Sequence, residues 1–103
     1  MRPPEVSTWR VLVPFDVREG VSLAIAAERA GKSQTTIRNW CNQHGIGRRV
    51  GGGVWIVSKV ALAMYLDGDE AALRTYLSGD RSSPLVKSYY DRCSVPLPNL
   101  VAA

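Results

Sequence analysis

The chain is poor in the residues on which most catalysis rests. Its 103 residues include one histidine, His44, and two cysteines, Cys41 and Cys93. His44 stands beside Gly45 at the expected end of a helix, and no motif ties a serine or cysteine to it, so a hydrolase of the nucleophile and histidine type has no support. Cys41 and His44, three apart, can face one way on a helix, yet a zinc site takes four protein ligands, or three and a water. The thiols read instead as buried or idle groups of a reducing compartment. Asp67, Asp69 and Glu70 cluster where the end of one helix and the cap of the next already explain them. No catalytic residue, metal ligand or cofactor is assigned, and a non-enzyme is expected.

Long apolar runs are absent as well. Nothing approaches the ~20 residues that cross a bilayer, and the opening Met1-Arg2-Pro3-Pro4-Glu5 has no apolar stretch of the signal-peptide kind. No membrane partner is expected, and the cytoplasm is the expected location. A chain of this length buries roughly two-thirds of its unfolded surface, enough for one core. The expectation is a single domain over residues 9–93, with a flexible arm over 1–8 and a frayed tail over 94–103.

What the middle of the chain lacks is carboxylate. The formal charge is +4, from 13 basic and 9 acidic residues, and from Arg29 to Leu66 there is no Asp or Glu. Arg29, Lys32, Arg38, Arg48, Arg49 and Lys59 stand between 21 and 66 against Glu28 alone. Such a stretch cannot repel a polyanion locally and would steer one toward it.

Periodicity and punctuation then mark the elements. Residues Trp9 to Phe15 are rich in Val, Leu and aromatics, with Pro14 limiting them to a short edge strand or an extended lead-in. Ser22 caps a helix through about Ala30, whose Leu23, Ala26, Ala27 and Ala30 share one face, and Gly31 ends it. Ser33 caps a second helix from Gln34 to about Gln43, with Ile37, Trp40 and Cys41 inward and Gly45 as its stop. The two helices make a pair over 22–43. Val54 to Val57 reads as a strand folding back on Arg48 to Val50 across three glycines, a hairpin over 46–57. The glycines lack the GxxxxGK[ST] spacing of a phosphate loop, and no small-molecule substrate is expected. A closing helix spans 58–66 and stops at Asp67-Gly68. Two more helices, 69–78 capped by Asp69 and 83–92 opened by Ser83-Pro84, carry the stripes Leu73, Tyr76, Leu77 and Leu85, Val86, Tyr89, Tyr90.

The helix pair resembles a helix-turn-helix motif, with Ala27 where the first helix must be small, Gly31 in the turn, and Ile37 and Trp40 where the second helix packs back. The hairpin after it looks like the wing of a winged-helix domain. The span Ser22 to Asp67, closing on Ala63-Met64-Tyr65-Leu66, is similar to excisionase and MerR-like domains, although Ala24-Ile25-Ala26-Ala27 lacks the acidic residue often found in that first helix. The fold expected is mainly α with a small β-hairpin: a winged helix-turn-helix with two additional C-terminal helices.

The resemblance implies double-stranded DNA as the partner, with the second helix in the major groove and the wing alongside. The outer face of that helix carries Ser33, Gln34, Thr35, Arg38, Asn39 and Asn42. Gln and Asn pair two ways with adenine, Arg bridges the two acceptors of guanine, and Ser or Thr donates to phosphate or touches a thymine methyl. Ordinary surface helices favour Glu and Lys instead. Arg29, Lys32, Arg48, Arg49 and Gly52 are the candidates for phosphate or minor-groove contact. Trp55 either anchors the wing or stacks outward. The roles implied are a transcription regulator, a recombination directionality factor, or a packaging protein of the terminase small-subunit kind. The competing reading is a protein-interaction module, or a homodimer, that uses the C-terminal helices and their tyrosines. RNA is less well matched, because no aromatic-bearing sheet face is legible.

Overall fold

The computed structural model describes residues 9–98. The arm expected over 1–8 and the tail residues 99–103 lie outside that range. Eight elements follow in order: β1 (Gly20–Ser22), α1 (Leu23–Ala30), α2 (Gln34–His44), β2 (Gly47–Arg49), β3 (Trp55–Ser58), α3 (Lys59–Asp67), α4 (Glu70–Leu77) and α5 (Pro84–Arg92). No helix among the described residues is long and apolar enough to cross a membrane.

The helix starts are set by short side chains that satisfy first-turn amides. Ser22, Ser33, Ser58, Asp69 and Ser83 each accept from the backbone N–H three residues on. Gly31, Gly45 and Gly68 end the first three helices in the left-handed region, where a Cβ would be strained.

The sheet is antiparallel with order β1-β3-β2, and Arg48 pairs with Ile56, Arg49 with Trp55, and Val21 with Val57. The hairpin is therefore joined by a third strand that the sequence did not announce. β1 is three residues long and runs straight into α1, with Ser22 serving both as strand end and as helix cap. Gly20 is required where it pairs, because a Cβ there would lie 2.6 Å from Cγ2 of Ile56. The stretch Trp9 to Phe15 forms no strand. Val11 and Leu12 turn inward instead and are buried in the core.

That core runs through every helix: Ala26 and Ala27 from α1, Ile37 and Cys41 from α2, Val60, Ala61 and Met64 from α3, Leu73 and Tyr76 from α4, Val86 and Tyr90 from α5. Fully burying one large aliphatic or aromatic side chain contributes about 1.5–3 kcal/mol, so α4 and α5 are part of the same stabilising unit as α1 to α3. Tyr89 and Tyr90 are 5% and 1% exposed, which leaves no free tyrosine stripe on α5 for a partner. Tyr89 donates its hydroxyl to Asp67 (2.7 Å) and Asp69 (3.2 Å), and burial together with those two carboxylates pushes its pKa up to about 12. Val95, in the stretch expected to fray, is buried and donates its N–H to the carbonyl of Tyr90 at 2.9 Å.

At the centre lies a buried carboxylate, Glu19, which is 2% exposed. Three hydroxyls donate to it: Ser58, Tyr76 and, at 3.2 Å, Tyr90. Tyr76 also accepts the N–H of Leu12 at 2.9 Å, and its own pKa is pushed well up by burial and by the charge of Glu19. Arg81 stacks its guanidinium 3.9 Å from the centroid of the Tyr76 ring and donates to the carbonyls of Tyr76 (2.6 Å) and Arg10 (2.7 Å). A buried charge is tolerable only when hydrogen bonds replace its water, and here hydroxyls from α3's cap, α4 and α5 do so. The cluster thereby ties the residues before β1 to the C-terminal helices.

Candidate nucleic-acid interface

Packing of α1 against α2 decides which side chains face out. Ala26 and Ala27 let Ile37 approach closely, and Ile37 is completely buried. Trp40 is half-buried, its ring centroid 4.7 Å from that of Tyr65. Gly31 turns the chain at φ 69°, and Lys32 donates its N–H back to the carbonyl of Ala27 at 3.0 Å. Ser33 then accepts from the N–H of Thr36 at 3.1 Å, and its hydroxyl lies 3.0 Å from that of Thr36. Ser33 is exposed, but its oxygen is engaged in starting the helix.

The remaining outer residues of α2, Gln34, Thr35, Arg38, Asn39 and Asn42, are all exposed. At 3.6 residues per turn they fall within an arc of about 140°. Among the described residues none of their side chains is bonded within the fold, so the donors and acceptors of that face are open. Lys32 stands exposed at its N-terminal end, and Arg29 is exposed in the last turn of α1. Among the described residues the ion pairs are Arg18 with Asp16, Arg74 with Glu70, and Arg92 with Asp67. Arg29, Lys32, Arg38 and Arg49 take part in none of them, and their charge faces solvent.

The wing is set beside α2 by Gly47. A Cβ there would lie 2.6 Å from the Ile56 carbonyl oxygen and 2.8 Å from Sγ of Cys41, so only glycine lets β2, β3 and α2 come this close. At its tip Gly51 and Gly52 both have positive φ (64° and 72°), and Gly53 donates to the carbonyl of Val50 at 3.2 Å. That is the φ pattern of a type I′ hairpin turn. Nothing lies within 4 Å of a Cβ at Gly52, which is a free tip. Arg49 is exposed, its guanidinium carbon 5.7 Å from the centroid of the half-buried Trp55 ring. Arg48, expected on phosphate, turns inward instead: Nε donates to the carbonyl of Val11 (3.0 Å) and a terminal nitrogen to that of Leu12 (2.9 Å). Val54, expected as the first residue of the strand, lies before β3 in the wing tip and is 73% exposed.

Burial pushes the Cys41 thiol up to about 11, while the His44 ring lies on Tyr65 with centroids 4.6 Å apart. Among the described residues no group of three or more His, Cys, Asp or Glu is placed to hold a metal ion.

Residues 22–70 match the family described as a helix-turn-helix domain. The match supports DNA binding through a helix-turn-helix domain over these residues. No curated protein and no solved structure matches the chain. With β2 and β3 placed after α2, the helix-turn-helix here is winged. The match runs from the cap of α1 to the first residue of α4, so Glu19, Tyr76, Arg81 and Tyr90 lie outside it. This helix-turn-helix is thus embedded in a larger unit, whose flanks close the core beneath it.

Proposed function

We propose that the chain reads duplex DNA by sequence, as a transcription regulator or an excisionase-type recombination directionality factor, with α2 in the major groove. The observation that carries this reading is the open, carboxylate-free stripe of Gln34, Thr35, Arg38, Asn39 and Asn42 on the second helix of a helix-turn-helix. Arg38 has the fork that spans both guanine acceptors, and Asn39, Asn42 and Gln34 have the amide that spans donor and acceptor of adenine. Lys32, Arg29 and Arg49 supply backbone contacts, Thr35 reaches phosphate or a thymine methyl from the first turn, and Gly52 lets the wing backbone come close to a sugar or phosphate.

The test is selection from a pool of random duplexes at two salt concentrations, repeated with Arg38→Ala and Asn39→Ala. An enriched motif is expected, and each substitution should relax preference at one position by about 1–3 kcal/mol. Lys32→Ala should instead weaken binding to all sequences and lower the salt slope by about one. Retention of no duplex at low salt would sink the reading.

A further inference from the structure

Arg48 spends its guanidinium inside the molecule, and the place where it does so is unusual. Its fork spans two successive carbonyls, those of Val11 and Leu12. Leu12 has a positive φ of 57°, and its N–H is held separately by the Tyr76 hydroxyl. Two residues earlier, Arg10 donates its N–H to the carbonyl of Leu77 at 2.9 Å and accepts from Arg81. The segment Arg10 to Leu12 is therefore fastened to α4 and to the Glu19 cluster before Arg48 reaches it. β2 is an edge strand of three residues, paired among the described residues only with β3 and packed on α2 at Gly47, its first residue. Trp9 covers Gly45, where a Cβ would meet its ring at 1.8 Å, and lines one shallow groove together with Arg48, Arg49 and Trp55.

We propose that Arg48 is the positioning residue of the wing: it bolts β2 to the Val11–Leu12 segment, so that Arg49 stands at a fixed place beside Trp55. Successive strand residues face opposite ways, which sends Arg49 outward when Arg48 is held inward. The planar fork is essential to this role. A lysine keeps the charge, but its compact ammonium lacks the rigid fork that engages both carbonyls in one geometry. The inference rests on the duplex reading above.

Binding to a labelled duplex of mixed sequence is measured against salt for wild type, Arg48→Lys, Arg49→Ala and the double variant. Arg49→Ala should lower the slope of log affinity against log salt by about 0.9. Arg48→Lys should lower it equally although no charge is lost, and the double variant should lose no more than Arg49→Ala alone. A slope kept by Arg48→Lys, or losses that add in the double variant, would make Arg48 a direct phosphate contact and overturn the proposal. If wild type binds no duplex, the duplex reading fails by itself, and amide hydrogen exchange of the free protein decides the Arg48 question. Exchange along the β2–β3 ladder should then be at least ~10-fold faster in Arg48→Lys, with α3 unchanged. Unchanged exchange in the wing would overturn the proposal. So would failure of Arg48→Lys to fold, since Arg48 would then hold the whole domain rather than its wing.

Discussion

Removing one hydroxyl from the centre of the molecule tests the account of its core. In Tyr76→Phe the ring still fills its place, but the hydroxyl's bonds with Glu19, with Ser58 (3.2 Å) and with the N–H of Leu12 are lost. Glu19 keeps only Ser58 and Tyr90, and the buried N–H of Leu12 has no acceptor. Leaving a buried polar group unsatisfied costs about 1–3 kcal/mol, and more where a charge is involved, so the two together come to ~2–6 kcal/mol. For a domain near 100 residues, each kcal/mol moves the melting temperature by about 4–8 °C. A fall of at least ~8 °C is therefore expected in thermal denaturation followed by circular dichroism. Tyr90→Phe is the internal comparison, since it removes one long bond of 3.2 Å and should cost nearer ~1 kcal/mol. If Tyr76→Phe melts no lower than Tyr90→Phe, hydroxyl solvation of Glu19 is not what holds the two halves together.

Two further perturbations probe other parts of the fold. Tyr89 titrates at about 12 in the folded protein against an ordinary 10.0, so the neutral phenol is the form the fold favours. The stability this contributes is whole below the unfolded value and is lost as pH rises through the folded one. Urea titrations across that alkaline window should show a loss in wild type that is shallower in Tyr89→Phe, and parallel curves would contradict the assignment. Gly47→Ala brings a methyl against backbone on β3 and against Sγ of Cys41, which should destabilise by about 1–3 kcal/mol. Gly53→Ala, whose Cβ would meet only the Val50 carbonyl at 3.6 Å, should be far milder. Equal midpoints in denaturant for the two would refute the close packing of β2 on α2.

Much of the architecture was legible because its signals are local. Ser22, Gly31, Ser33 and Gly45 bracket α1 and α2 with cap and stop residues, and the spacing of Ala27, Ile37 and Cys41 names the inward face. Asp69 and Ser83-Pro84 announced α4 and α5 in the same way. What stayed hidden depends on partners far along the chain. Arg48 finds its carbonyls 36 and 37 residues away, and Tyr90 finds Glu19 at a separation of 71. Within residues 1–20 Glu19 is one of three acids beside three arginines, and Arg48 is one more cation beside glycines. The sequence fixes neither pairing, because both require the segment before β1 to lie against α4. β1 escaped notice for another reason: three residues are too few for alternation to register, and one of them is glycine.

The division of labour on α2 has an evolutionary consequence. Its inward residues, Ile37 and Cys41, are locked into the core, while Gln34, Thr35, Arg38, Asn39 and Asn42 carry no internal bond among the described residues. Exchanging an outward residue costs the scaffold little beyond helix propensity, which spans about 0.7 kcal/mol among ordinary residues. On the reading proposed above, the outward face can drift to new targets under selection while the body beneath it stays the same, so relatives of similar stability and shape need share no preference for what they bind.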